Sequence, residues 1–378
     1  MIVYITAFAL TLLLCIGADV LTSYTCKHSV SKSFQSIYAL RYTCLWLAPL
    51  PIIFITCFRY GVGYDYFRTY ITDYDLFKVG EPVHSDFGFN LFYWICQTLA
   101  PNTPQLLFII TGFITIICIY WAAYIYTGHV SLSILLFFID DSYFRSISMI
   151  AQYLSISILL FSFSLLFSNM KKNKSIIIPL LLLLFASCIH SSAILVSITI
   201  ILLYFLKNIS PYKLFYISLA LPILALILRK PLTSLSLSII SKTRFGGYIY
   251  SVFADHESTS ILFVELFITL TMFVIVGLNL PHCSIHTISS LTLQTLALSC
   301  ALLQGVPLMF RIAFYFAGFH IISLPKIINT IPNIFKRIIV VTIITIFLTT
   351  WLILYPIAGN YDAPLPYSFS FDTTHLYY

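Results

Sequence analysis

The sequence predicts an all-α polytopic membrane protein, a bundle of about 12 transmembrane helices, on two observations. First, 60% of its 378 residues are apolar, 9% are charged and the mean hydropathy is +0.97, whereas a soluble domain carries about 25% charged residues. Second, apolar runs near the roughly 17–25 residues that cross a bilayer recur along the chain. The predicted spans are 1–21, 40–58, 105–127, 130–141, 147–169, 174–189, 190–206, 212–228, 260–280, 287–304, 307–325 and 337–355.

The first and fourth of these runs need separate justification. Span 1–21 has no basic leading region and no small-residue cleavage site, so we interpret it as a retained helix and not as a signal peptide. Run 130–141 is short for a span and is the weakest of the set.

A further apolar run lies between the second and third spans. FGFNLFYWICQTLA, 87–100, is too short to cross a bilayer, and its Asn90, Trp94 and Gln97 fall on one helical face. This pattern predicts an interfacial or re-entrant helix.

The lysine-rich turn KKNK, 171–174, sets the orientation, because basic loops stay in the cytoplasm. Counting from this turn places both chain termini on the outer side of one transmembrane domain, residues 1–378. The outer pieces are two loops and a C-terminal tail, residues 58–104, 229–259 and 356–378. All but Asp19 of the 13 carboxylates then lie on or near the outer side.

Composition also argues against two kinds of site. The nine cysteines are scattered without CxxC spacing, which predicts neither a disulfide framework nor a zinc site. The net charge of +7 has no basic arm or soluble domain to carry it, so no nucleic-acid partner is predicted.

Several arginines lie on the predicted outer side, where the orientation of the spans does not call for basic residues. Six of the eight lie on the outer side or at outer ends of spans: Arg59, Arg68, Arg145, Arg229, Arg244 and Arg311. A guanidinium group offers a planar fork that suits phosphate or carboxylate. For Arg145 and Arg311 we favour ligand binding, and no carboxylate lies within about forty positions of Arg311. For Arg68 and Arg244, pairing with outer acids is an equally open alternative.

The segment FRYGVGYDYFRTY, 58–70, concentrates charge directly after an apolar run. Gly61 and Gly63 permit a sharp turn, which brings Arg59, Asp65 and Arg68 together at the water boundary. Asp65 is a candidate proton acceptor, with the two arginines able to hold it ionised.

Tyrosines recur every four residues after this turn, at Tyr66, Tyr70 and Tyr74, on one face of a predicted helix. Two interpretations stay open. The rings form an aromatic belt at the lipid headgroups, or they stack against sugar rings in a saccharide site.

At these residues the chain resembles a known family. RYGVGYDYFRTY is similar to the Arg-x-x-x-Gly-x-Asp-Tyr signature of EpsG-type, Wzy-like polymerases of bacterial surface polysaccharides. Four later stretches resemble further family elements in the same order, over most of 58–325. They are the Glu-Pro loop with its short helix, 81–110, SMIAQYLSISILLFS, 148–162, ASCIHSSAIL, 186–195, and RIAFYFAGFHIISLP, 311–325.

The resemblance implies a GT-C-like glycosyltransferase arrangement in the bacterial inner membrane. Such a polymerase joins undecaprenyl-diphosphate-linked oligosaccharide repeats on the periplasmic face, in O-antigen or exopolysaccharide assembly. The lipid-linked donor and acceptor and the bilayer are its implied partners, with a chain-length regulator and a flippase of the same pathway. No cofactor and no metal are expected.

Roles follow for individual residues. Fixed cations stabilise the charge that builds on the departing diphosphate, and a carboxylate or imidazole deprotonates the attacking hydroxyl. We assign the diphosphate to Arg59, Arg145, Arg311, position 151 and Gln152, the base to Asp65 or else His190, and the sugar to Tyr66, Tyr70, Arg68 and Tyr315.

One position departs from the family pattern. The family usually has arginine before the glutamine of the fifth span, and this chain has Ala151 before Gln152. Because the flanking pattern is intact, we hypothesise that the alanine replaces a natural arginine, which comparison with the natural coding sequence would test.

Other functions and sites were weighed against this prediction. A transporter or flippase of lipid-linked sugars would show paired halves and midplane charges, and an acyltransferase at His190 would need a second catalytic group beside it. Hard-cation sites at DYD, 73–75, and DDSYF, 140–144, are less expected than solvated loop charges. HCSIH, 282–286, has metal-like spacing but falls on the cytoplasmic side.

Overall fold

The computed structural model describes residues 1–27, 34–83, 85–168, 176–242, 259–303 and 309–371, and helices dominate these ranges. The chain, predicted as one domain, divides by its contacts into two compact units: residues 1–194 with 345–378 form the first unit, and 195–344 form the second. The division falls within helices α11 and α17.

The first part of the chain forms short and long helices in alternation. They are α1 Ile2–Lys27, α2 Phe34–Leu47, α3 Leu50–Cys57, a π-helical turn Tyr66–Ile71, α4 Thr72–Lys78, α5 Phe87–Leu99, α6 Gln105–Thr127, α7 Ser131–Ile139, α8 Ser142–Ser148, α9 Ile150–Phe167 and α10 Ile177–Ile189. The rest comprises α11 Ala193–Phe205, α12 Pro211–Ile240, α13 Thr259–Leu278, α14 Ile285–Leu302, α15 Met309–Ala317, α16 His320–Ile328 and α17 Ile334–Leu352.

Seven stretches within the described ranges are long and apolar enough to cross a membrane, which confirms the all-α polytopic class: Ile2–Thr25, Ser36–Cys57, Gln105–Thr127, Ile150–Phe167, Pro211–Leu235, Ile285–Leu302 and Ile334–Ile357. Helices α15 and α16 form a further, broken candidate bent by 43°. The same ranges contain three shorter apolar helices, at Ile177–Ile189, Ala193–Asn208 and Leu262–Leu278. The count of 12 and the GT-C-like arrangement stay predictions.

The predicted span 130–141 forms only the nine-residue helix α7, and Asp19 of α1 explains how it begins. The Asp19 carboxylate accepts hydrogen bonds from the backbone N–H groups of Val130 and Ser131, at 3.0 Å each, and from the Ser131 hydroxyl at 2.6 Å. The first N–H groups of a helix have no partner within it, so a carboxylate from α1 allows α7 to start beside an apolar helix.

Helix α7 then runs along α1. The rings of Phe138 and Phe8 stack with centroids 4.0 Å apart, and Tyr143 of α8 contacts Phe8 at 4.8 Å. The short helix therefore carries the chain from the level of Asp19 towards the start of α1.

The predicted outer loop 229–259 differs in part from the structure, because α12 continues to Ile240 through Pro222 and Pro231. Arg229 thus lies on a helix. Residues 243–258, with Arg244, lie outside the described residues, as does the KKNK turn.

The second unit buries a polar pair between two of its helices. Gln294 of α14 donates a hydrogen bond of 2.6 Å to Glu265 of α13, and both side chains are almost fully buried. Ser218 of α12 and Thr292 of α14 share a further buried hydrogen bond of 2.8 Å.

Candidate functional site

Several distant stretches of the first unit meet where α8 ends and α9 begins, at residues 148–150, which we call the α8–α9 break. Met149 leaves helical geometry there, with φ −93° and ψ 65°. The backbone N–H of Ala151, in the first turn of α9, donates to the phenol oxygen of Tyr70 at 3.0 Å. The tyrosine thereby joins the 58–70 segment to the start of α9.

Gly63 and Arg59 attach the 58–70 segment to the end of α8. Gly63 has φ +106°, and a Cβ there would lie 2.3 Å from the carbonyl oxygen of Ile147, so both the backbone angle and the space require glycine. Arg59 Nη2 donates to the same carbonyl at 3.3 Å. Gly63 therefore lets the two backbone segments come close together, and Arg59 links them by a hydrogen bond.

Arg59 is buried, although we assigned it to the diphosphate. Its side chain is 1% exposed, it also donates to the carbonyl of Thr56, and its guanidinium carbon lies 5.2 Å from the Phe108 ring centre. Burial lowers the pKa of Arg59. These contacts favour a role in positioning the segment over direct contact with a ligand.

Asp65 and Arg68 face different surroundings. Half-buried Asp65 accepts a long hydrogen bond of 3.4 Å from Thr69. Exposed Arg68 instead donates to the hydroxyl of Tyr64 at 2.6 Å and lies 5.5 Å from its ring centre. Asp65 is therefore the less exposed of these two charged groups.

The three tyrosines predicted on one helical face are all buried, with exposures of 2%, 6% and 1% for Tyr66, Tyr70 and Tyr74. Tyr66 stacks on Phe108 at 4.1 Å and donates to Gln105. The aromatic-belt interpretation is wrong for them, because belt residues face lipid headgroups. Stacking of a sugar on Tyr66 would require its contact with Phe108 to open.

The acids of DDSYF are buried, contrary to the prediction of solvated loop charges. Asp140 and Asp141 are 3% and 2% exposed. Asp140 accepts from the backbone N–H of Ser142 at 2.8 Å and from its hydroxyl at 2.9 Å. Asp141 binds Arg145 Nε at 2.9 Å. The prediction is also wrong for Asp73 of DYD, which is 1% exposed. A buried acid needs partners inside the protein in place of water.

Arg145 lies on the short helix α8 rather than at the start of a long span. Its side chain is 13% exposed, and its guanidinium carbon lies 5.8 Å from the ring centre of Trp351 in α17. Arg145 is thus paired with Asp141 and only partly exposed.

The C-terminal tail contributes Asp362, a residue that sequence reasoning missed. Its backbone carbonyl accepts a hydrogen bond from the N–H of Tyr64 at 3.2 Å. Burial raises the pKa of its carboxyl, an effect that Arg145 opposes and Asp65 reinforces. Nothing in the local sequence GNYDAPLP marks it, because its partners come from far earlier in the chain.

His190 lies level with Ala151, as the antiparallel register of α9 and α10 shows. Ser162 and Ser155 of α9 donate to the carbonyls of Pro179 and Ala186 of α10, at 2.8 Å each. Continuing this register by one turn places residue 151 opposite residue 190. Gln152, next to Ala151, is buried at 5% exposure.

The short loop helix α5, predicted over 87–100, is present and holds the turn that carries His190. Asp86 accepts from the backbone N–H of Ser191 at 2.8 Å. A Cβ on Gly88 would lie 2.5 Å from the carbonyl carbon of Cys188, so α5 approaches this turn backbone to backbone.

Arg311 and Tyr315 lie in the second unit, on α15. Arg311 is half-buried in the first turn of that helix and Tyr315, one turn later, is fully buried. Among the described residues of the whole chain, no three His, Cys, Asp or Glu side chains form a group that could hold a metal ion.

Comparison with known proteins bears on the predicted family. Searches of curated proteins and of solved structures give no match. The model of the EpsG family matches residues 42–369, a range that includes all the stretches that meet at the α8–α9 break and also Asp362. The chain therefore belongs to the EpsG family.

Proposed function

We propose that this chain polymerises undecaprenyl-diphosphate-linked oligosaccharide repeats on the periplasmic face of the bacterial inner membrane. Membership of the EpsG family indicates a polysaccharide polymerase in general. The apolar helices indicate a polytopic membrane protein, which fits substrates carried on a lipid. One observation supports the finer proposal. The segment that carries Asp65, the helix that carries Arg145, and the opposed residues 151 and 190 all lie around the α8–α9 break.

The reaction needs two changes of charge. A hydroxyl of the acceptor repeat attacks the anomeric carbon of the donor glycan. As the carbon–oxygen bond to the diphosphate breaks, its electron pair passes to the diphosphate oxygen. The hydroxyl proton passes to a base. Cations must therefore face the diphosphate and a proton acceptor must face the hydroxyl.

Residue roles follow from exposure and contacts. Arg145 binds the diphosphate near the start of α9, where the helix dipole favours negative charge. Arg311 on α15 stays a predicted diphosphate ligand. Gln152 supports the first turn of α9. Buried Arg59 and Tyr70 position the site, the former by joining the 58–70 segment to α8 and the latter by bonding Ala151.

The remaining roles are those of the base and of the residues that contact the sugar. Asp65 is the proposed base, with His190 as the second choice. Arg68 contacts the sugar, and Tyr64, 55% exposed beside it, offers a ring face that the buried Tyr66 does not. Tyr315 on α15 stays a predicted sugar contact.

Reconstitution tests this proposal. Purified protein in liposomes with lipid-linked repeat should elongate the glycan, and Asp65→Asn should slow elongation about 10²–10⁴-fold, the usual contribution of a general base. Asp75→Asn, at an exposed acid of α4, is the matched control and should elongate normally. Movement of the repeat across the bilayer without elongation would indicate a flippase and contradict the proposal.

A further inference from the structure

Residues 58–65, which we call the signature loop, connect the end of α3 to the π-helical turn. Gly63 of this loop approaches the end of α8, and Tyr70, a few residues later, bonds the first turn of α9. Asp65 lies between these two residues in the sequence. The conformation of the signature loop therefore decides where the proposed base stands relative to the α8–α9 break.

The end of α3, where the signature loop begins, is bonded by side chains from distant parts of the unit. The Tyr367 hydroxyl of the tail donates to the carbonyl of Ile55 at 2.8 Å. The amide of Gln105, the first residue of α6, donates to the carbonyl of Cys57 at 2.6 Å. The last carbonyls of a helix have no partner within it, so these side chains supply the bonds that would otherwise come from water.

The half-buried side chain of Gln105 links both ends of the signature loop. Its Nε2 group donates to the carbonyl of Cys57 and also to that of Arg59, at 3.2 Å. Its Oε1 atom accepts from the hydroxyl of Tyr66, the residue that follows the loop, at 3.1 Å. The reverse orientation of the amide would bring its oxygen against two carbonyl oxygens, which offer no donor. A single side chain thus bonds the start of the loop and the residue next to Asp65.

The first turn of α6 holds Tyr66 by its ring as well as by its hydroxyl. Phe108, three residues after Gln105, stacks on the Tyr66 ring with centroids 4.1 Å apart and planes 9° apart. Tyr66 is 2% exposed. Because Asp65 directly precedes this tyrosine, a change in the position of Asp65 must strain or break the contacts with α6.

The tail bonds the middle of the signature loop. The N–H groups of Tyr60, Gly63 and Tyr64 donate to carbonyls of residues 362–368, at 2.9, 3.1 and 3.2 Å. These bonds hold the loop against the tail, whereas Gln105 holds its two ends against α6. The amide protons of the loop therefore report on its mobility.

We propose that Gln105 is a positioning residue of the polymerase site: its amide links the two ends of the signature loop and so holds Asp65 at the α8–α9 break. The proposal rests on the proposed function above, which makes Asp65 the base. A general base must lie within hydrogen-bond reach of the hydroxyl that it deprotonates, and a misplacement of about 1 Å can cost about 10²-fold in rate. Gln105 acts through Asp65 and makes no contact with the substrate.

The first test compares elongation kinetics of two glutamine variants in liposomes with lipid-linked repeat. Gln105→Met keeps the length of the side chain and removes its three hydrogen bonds. We expect kcat to fall about 10–10²-fold and KM to change by less than about threefold, because a displaced base weakens the transition state and not the binding of the repeat.

Gln97→Met is the matched control. Gln97 of α5 is also half-buried and donates to a backbone carbonyl, that of Tyr74, at 2.9 Å, but it does not bond the signature loop. This variant should keep the wild-type kcat even where its melting temperature falls. Equal losses of kcat in Gln97→Met and Gln105→Met would overturn the positioning role and leave a general effect of lost stability.

A double-mutant cycle shows whether Gln105 acts through Asp65. Once Asp65→Asn has removed the base, adding Gln105→Met should slow elongation by less than about threefold. A purely structural role would instead multiply the two losses. Tyr66→Phe keeps the ring on Phe108 and removes only the bond to Gln105, so it carries the same cycle should Gln105→Met not fold. Its kcat should fall about fivefold with Asp65 present, the equivalent of about one hydrogen bond, and stay level in the Asp65→Asn protein.

The second test is hydrogen–deuterium exchange of the full chain in detergent, which needs no activity. Loss of the Gln105 bonds should speed exchange of the Tyr60, Gly63 and Tyr64 amides about tenfold, because local opening of the loop costs less free energy. In Gln97→Met these amides should exchange at the wild-type rate.

The outcomes separate the two proposals. If the wild type elongates the glycan and Gln105→Met keeps its kcat, the polymerase proposal stands and the role of Gln105 is overturned. If the wild type never elongates, the polymerase proposal fails, and exchange alone decides whether Gln105 holds the signature loop. Unchanged exchange of the loop amides in Gln105→Met overturns that role in either case.

Discussion

At the scale of single residues, burial separates arginines that the sequence presents as equivalent. Arg59 and Arg145 were both assigned to the diphosphate, yet Arg59 is 1% exposed and bonded to backbone carbonyls. Arg145 keeps 13% exposure and binds one carboxylate. A guanidinium already bonded to buried carbonyls is expensive to withdraw, whereas one paired with a carboxylate can exchange that partner for another anion.

Position 151 offers the sharpest residue-level prediction. Ala151→Arg should place a guanidinium group level with His190 at the start of α9 and raise the rate of elongation at least tenfold, since a planar fork binds phosphate in a bidentate manner. A cation at a helix N-terminus costs about 0.3–1 kcal/mol of stability, so the gain cannot come from better folding. Rates and melting temperatures of the variant, measured in parallel, check this.

Ala151→Lys is the matched control for that substitution. A lysine adds the same charge without the fork, so it should restore less activity than arginine. Equal rates for the alanine and arginine proteins would show that this position does not contact the diphosphate. A native alanine in the coding sequence would separately refute the hypothesis that it replaces a natural arginine.

In the first unit, local pattern predicted a turn but not the surroundings of the charged residues. The turn is present, and Gly61 and Gly63 have positive φ values, as their spacing suggested. Burial of Asp140 and Asp141 did not follow from the pattern, because it depends on packing by distant parts of the chain, and Asp362 lies far from them in sequence. Local periodicity carries no information about such contacts.

At the scale of elements, periodicity was most reliable where one helix face is buried. Helix α5 was predicted over 87–100 and spans Phe87–Leu99, with Phe89, Phe92 and Tyr93 inward. The tyrosine repeat at 66–74 was instead assigned to one regular helix, but the structure has a π-helical turn followed by α4. Tyr66 is hydrogen-bonded to Gln105 and Tyr70 to Ala151, and spacing alone cannot reveal such tertiary contacts.

Helix α5 provides an element-level prediction. Gly88→Ala would place a Cβ 2.5–2.7 Å from the backbone of Cys188 and Ile189, so α5 must shift from the turn that carries His190. We expect a loss of stability of about 1–3 kcal/mol, typical of overpacking, and a loss of elongation. Melting temperature and elongation rate of the purified variant measure the two effects.

Gly17→Ala is the control for this prediction. Its Cβ would meet only the Cys44 sulfur at 3.8 Å, an ordinary contact, and alanine favours a helix interior by up to about 1 kcal/mol over glycine. That variant should keep full activity and at least the wild-type melting temperature. If Gly88→Ala behaved in the same way, backbone contact between α5 and the 188–191 turn would not matter for the site.

At the scale of the whole molecule, contacts within the first unit place the start of α1 and residues 362–370 of the tail beside the signature. Tyr4 bonds the tail at Pro364, and the tail pairs with residues 58–64. Helix α9 leaves the same region and runs for 18 residues, about 27 Å at 1.5 Å per residue. That length is close to the roughly 30 Å of a bilayer core, so α9 is long enough to reach from the level of the signature to the other face of a membrane.

This arrangement leads to a prediction of orientation that reporter fusions can test. Because lysine-rich turns stay in the cytoplasm, a green fluorescent protein fused after Lys172 should fluoresce. Alkaline phosphatase, which is active only outside the cytoplasm, should be active when fused after Tyr378. The reciprocal fusions are the controls and should both be silent. The opposite pattern would put Asp65, Arg145 and Asp362 on the cytoplasmic side, where the proposed polymerisation of periplasmic lipid-linked repeats could not occur.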